Sequence, residues 1–85
     1  MNTKTQHYLI ECTFDPKGSH WESFDGKRYM SYVAIKEEVW KLTQAEAEYN
    51  RTEAAQDPRV YKILGFRIVQ QYIETKTEIV SEFLF

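Results

Sequence analysis

From Ser31 to Gln56 the chain reads SYVAIKEEVWKLTQAEAEYNRTEAAQ, with no glycine and no proline. Ala, Glu, Lys, Gln and Leu dominate it, and these lose little side-chain freedom in a helix. Tyr32, Ile35, Val39, Leu42 and Tyr49 recur at three–four–three spacing, with Glu46 in one apolar place and Ala45 beside it. That is one face of an α-helix. The spacing predicts a single helix over 31–56, spanning ~39 Å at ~1.5 Å per residue. A competing reading makes MSYVAI, or Glu38 to Leu42, a strand. Thr43-Gln44-Ala45-Glu46 would then act as a capping box and start the helix at Thr43. Residues 43–56 are helical on both readings.

On either side the pattern turns to strands. In HYLIECTF, residues 7–14, Tyr8, Ile10, Cys12 and Phe14 alternate with His7, Leu9, Glu11 and Thr13. Period two with β-favouring residues predicts a strand whose Tyr8/Ile10/Cys12/Phe14 side faces the core. Asp15-Pro16-Lys17-Gly18-Ser19 is a turn, HWESF (20–24) a short strand, and Asp25-Gly26 a second turn. Asp57-Pro58 is expected to stop the helix, because the residue before proline is driven out of the α region. Beyond it, residues 62–75 are rich in Val, Ile and Tyr and read as a strand with a bulge at Gly65. Residues 78–83 are a further strand or a short terminal helix. Met1 to Gln6 is polar and expected to fray.

The fold class is therefore α+β: a β-hairpin, a long helix, and one or two C-terminal strands. Together these make an antiparallel or mixed sheet of three to four strands with the helix packed on one face. Eighty-five residues make one domain, able to bury roughly 60–65% of its unfolded surface. No linker or repeat divides it.

Charge and composition narrow the function classes. Thirteen acidic and 11 basic residues give a net charge of −2, against the basic excess of general phosphate binders. A lone cysteine, Cys12, excludes a disulfide framework. The N-terminus has no signal-type apolar run, and no stretch approaches the ~20 apolar residues of a membrane span, so a cytoplasmic location is expected.

Catalytic and cofactor signals are weak. His7, Cys12 and His20 lack the paired spacing of a metal site, and His7 and Cys12 have opposite strand parity. They read as two surface histidines and a buried thiol. The glycines Gly18, Gly26 and Gly65 form no phosphate loop. Glu48/Arg51 and Glu37/Lys41 are pairs of a solvated helix face. We expect no enzyme activity, no metal and no cofactor.

Aromatic residues make up 15% of the chain, more than a small core readily hides. Trp40 lies off the helix stripe. The expected role is contact with another protein through Trp21, Phe24, Trp40, Phe83 and Phe85, with a homodimer as one form of it. Terminal edge strands offer a further route, strand addition. A small free-standing domain of this kind fits an inhibitor or adaptor such as phages and mobile elements carry. The alternative is weak nucleic-acid binding by Lys27, Arg28, Tyr29, Lys62 and Arg67, with bases stacked on a sheet.

Overall fold

The alternation in HYLIECT becomes strand β1, His7–Thr13. We describe the protein from a computed structural model that covers residues 7–73 and 76–85; the expectation for Met1–Gln6 lies outside them. After β1 come β2 (Glu22–Ser23), helix α1 (Tyr32–Tyr49), a 3-10 turn (Ala54–Gln56), β3 (Gly65–Ile73) and β4 (Lys76–Leu84). The four strands form one antiparallel sheet in the order β2-β1-β3-β4. The terminal segment is thus strand, not helix.

Register assigns the two faces. Cys12 pairs with Phe66 and Ile10 with Ile68, and these four pack with Ile35 and Val39 of α1 as the core. Tyr8, Phe24, Tyr29, Tyr32, Leu42, Ile63, Phe83 and Phe85 close around it. Phe24 meets Phe66 edge-on at 5.2 Å, and Phe85 lies 5.9 Å from the same ring. Phe66 is the ring on which the layers meet. Phe14, expected inside, is 39% exposed and stands edge-to-face with Tyr61 instead. It lies one residue past the end of β1, where the alternation no longer binds it to the core face.

The other sheet face carries cross-strand rows. Leu9, Val69 and Ile79 align, as do Glu11, Arg67 and Glu82. Burial here is not negligible: Val69 is 2% and His7 8% exposed. His7 hydrogen-bonds the Gln71 side chain across the ladder, so it is not the surface residue the sequence suggested. His20, by contrast, is exposed.

Helix α1 starts where the spacing placed it and ends early. Ser31 is the N-cap, its Oγ accepting from the Ala34 amide at 3.3 Å. Thr43, the rival start, sits mid-helix. The end is set by side chains. Thr52 Oγ1 donates to the Tyr49 carbonyl at 2.7 Å, and Gln56 Nε2 donates to that of Asn50 at 2.9 Å. Asn50 Nδ2 donates to the Ile63 carbonyl at 2.9 Å. The first two bonds satisfy carbonyls that further helix would have used, and the third ties the helix end to the segment before β3. The chain then turns and buries Ala55. The helix expected to reach Gln56 stops at Tyr49.

The strand expected over 20–24 is reduced to Glu22–Ser23, and the one expected from 62 begins at Gly65. Ladder irregularities fall between Ile68 and Val69 and between Gln71 and Ile73, not at Gly65. Gly65 serves close approach instead. A Cβ there would lie 2.6 Å from Leu84 Cδ2 and 2.7 Å from the Phe83 carbonyl oxygen. Gly65→Ala is expected to destabilise by about 1–3 kcal/mol, since backbone must move as well as a side chain. Urea denaturation measures it. An unchanged midpoint would show that β4 is held more loosely than this.

Candidate functional site

One flank of α1 is apolar without facing the core. Val33, Lys36, Glu37 and Trp40 follow one another at i, i+3, i+4 and i+7, so they share a face. With Phe83 of β4 they line an open groove of about 360 Å³. Val33 is 73% and Trp40 59% exposed. Lys36 and Glu37 form its charged part, and the Lys36 ammonium lies 6.0 Å from the Tyr32 ring centroid. Tyr32 Oη and Ser81 Oγ, 3.1 Å apart, tie the helix to β4 close by.

The groove lies beside a strand edge. Among the described residues nothing pairs with the outer side of β4. The Phe85 amide donates to the Leu64 carbonyl at 2.7 Å. Antiparallel ladders alternate, so Phe83 and Ser81 also turn their amides and carbonyls toward β3. Those of Glu82 and Leu84 then point outward. The Phe83 side chain lies on the helix-facing side, at the groove, and the Glu82 and Leu84 side chains lie on the other. The irregularity between the Ser81 and Ile79 pairings limits regular strand next to the groove to residues 81–84. Bulges of this kind blunt an edge. The open edge is short and adjoins Trp40.

Of the residues expected to bind a partner, only Trp40 and Phe83 meet. Phe24 and Phe85 pack on Phe66 and complete the core. Trp21 is on the opposite sheet face. Its indole donates to the Gly18 carbonyl at 2.7 Å, and the Arg67 guanidinium lies 4.7 Å from its ring centroid. Val33 was missed, although its place four residues before Glu37 and seven before Trp40 would have revealed a second helix stripe.

The basic residues are dispersed. Arg67 Nε donates to Glu11 Oε1 at 2.7 Å, so the guanidinium is held between a carboxylate and an indole. Lys27 and Arg28 belong to the segment before α1, where Lys27 lies 5.4 Å from the Tyr29 ring centroid. Tyr29 itself bridges to Tyr8, with bonds of 2.7 and 2.9 Å. Lys62 precedes β3.

Cys12 is buried and reduced, and burial, followed by the nearby charges of Glu22, Glu11 and Glu46, pushes its thiol above the ordinary value. A raised value keeps the unreactive protonated form at neutral pH. Among the described residues no group of three His, Cys, Asp or Glu is placed to hold a metal ion, and no helix is long and apolar enough to cross a membrane. Comparison with family models, with curated proteins and with solved structures yields no match.

Two outcomes check these assignments. Trp40→Ala is expected to change stability by less than about 1 kcal/mol, and Ile35→Ala to cost about 2–5 kcal/mol. Equal losses in thermal denaturation would place Trp40 in the core. Thiol labelling of the folded protein at neutral pH is expected to be much slower than in denaturant. Equal rates would contradict the burial of Cys12.

Proposed function

We propose that this protein acts by binding another protein, not by catalysis, and that the Trp40 groove with the adjoining edge of β4 is the contact surface. The observation that supports this is the coincidence of two features. A half-exposed tryptophan flanked by Val33 and Phe83 stands beside the outward amides and carbonyls of Glu82 and Leu84. An extended segment laid along β4 gains backbone hydrogen bonds from those residues. Its alternate side chains fall beside Phe83 and under Trp40. A large ring in such a position typically supplies 2 kcal/mol or more of binding energy. The finer role we assign is that of a cytoplasmic inhibitor or adaptor, of the kind carried by phages and mobile elements, that engages a host protein.

Nucleic-acid binding has less support. One of its cations, Arg67, is already paired with Glu11, and the row it occupies also holds Glu82. Affinity capture from the native host tests the proposal. Wild-type protein should retain a specific partner, and Trp40→Ala should lose at least tenfold of it at unchanged helix content. Equal recovery by both proteins would refute the assignment of the surface.

A further inference from the structure

We infer that the groove and the edge of β4 are self-complementary, and that a second copy of this chain pairs there about a two-fold axis through Phe83. The inference rests on the binding role given above to this same surface: the free protein closes it on a second copy, which a host partner must displace.

Register argues for it. The outward backbone groups belong to Glu82 and Leu84, so an antiparallel partner strand must present groups of the same spacing. A second β4 does. Three two-fold registers use these groups. An axis at Glu82 sets two carboxylates directly opposite each other, which is destabilising. An axis at Leu84 carries the centre of the contact away from the groove. An axis at Phe83 pairs Glu82 of each copy with Leu84 of the other. The two Phe83 rings then face each other on the helix side, and no like charges are opposed.

The groove fits the same symmetry. Helix α1 lies over β1 and β3, so the joined sheets would hold the two helices ~19 Å apart, four strand spacings of ~4.8 Å. Directly packed helices are ~8–10 Å apart. The trough between them is therefore wide enough for side chains from both sides. Its floor is the two Phe83 rings, and its walls are Val33 and Trp40 of each copy, which are 73% and 59% exposed in the single chain. The charged residues at the groove are one cation and one anion, Lys36 and Glu37. A single-sign rim would repel its own copy, and this rim carries both signs. The ladder irregularity beyond Ser81 and the exposed Glu78 keep the pairing from spreading along β4. A closed dimer, not a fibre, is the outcome.

Analytical ultracentrifugation from about 5 to about 500 µM tests the inference, a range that covers the affinity of a small interface. The mass should rise with concentration from 10.2 kDa toward twice that value, and Trp40→Ala should raise the dissociation constant at least tenfold. A second measurement fixes the register without touching the core. A mixture of Glu82→Cys and Leu84→Cys chains should form a disulfide dimer under mild oxidation. Glu82→Cys alone should not, because its Cα atoms would exceed the ~7 Å limit for a disulfide. A mass of one chain throughout, or cross-linking by Glu82→Cys alone, would overturn the two-fold at Phe83. A one-chain mass together with Trp40-dependent capture of a host protein would remove the second copy and leave the binding surface standing. Loss of both would remove the surface as well.

Discussion

One helix cannot cover four strands. An α-helix with its side chains is ~10–12 Å across, and strands repeat every ~4.8 Å, so a single helix shields little more than two. In this chain it shields β1 and β3, the central pair, through Ile35 and Val39 on Ile10, Cys12, Phe66 and Ile68. The outer strands stand beyond the helix. β2 answers this by being two residues long and exposed. β4 is nine residues long, and among the described residues nothing pairs with its outer side. The aromatic rings then divide by position. Those reaching Phe66 become core; Trp40, on the side of α1 turned toward β4, does not.

The second sheet face is settled by different means. With no helix over it among the described residues, it relies on ladders of side chains. Arg67 is aligned with Glu11 and Glu82 and covered by Trp21. The loop that carries Trp21 approaches β4 at Gly18, where an added Cβ would touch Leu84 at 3.4 Å. Thr13, fully buried, fastens the start of that loop. Its hydroxyl donates to the His20 carbonyl at 2.6 Å and accepts from the Asp15 amide at 3.0 Å. Such a face is tied down by the Leu9–Val69–Ile79 row, polar pairs and one ring, and leaves Ile79 and Leu84 exposed.

Local patterns in the sequence told most about the centre of the fold. The alternation in His7–Thr13 and the three–four–three stripe from Tyr32 were legible because burial on one side enforces them. Helix termination was not. Asp57-Pro58 was a visible stop signal, yet Thr52 and Gln56 capped the carbonyls first, and their partners are known only from the folded chain. The site was half legible. Trp40 off the stripe pointed to exposure, and the aromatic end of the chain pointed to a second anchor. Which terminal ring it would be depends on position along the strand, because Phe83 and Phe85 share one sheet face. Phe83 lies at the groove and Phe85 on Phe66, a distinction fixed by pairing with β3. The pairing of Arg67 was hidden because Glu11 reaches it only through register.

The proposed surface requires the outer side of β4 to be unpaired in the single chain. Amide hydrogen exchange, read residue by residue in dilute solution, tests this most directly. Slow exchange is expected at Phe83 and Phe85, whose amides turn toward β3, and fast exchange at Glu82 and Leu84, which alternate with them. Uniform protection from Ser81 to Phe85 at the lowest usable concentration would mean that this edge is already covered, and would contradict the surface on which the proposed function stands.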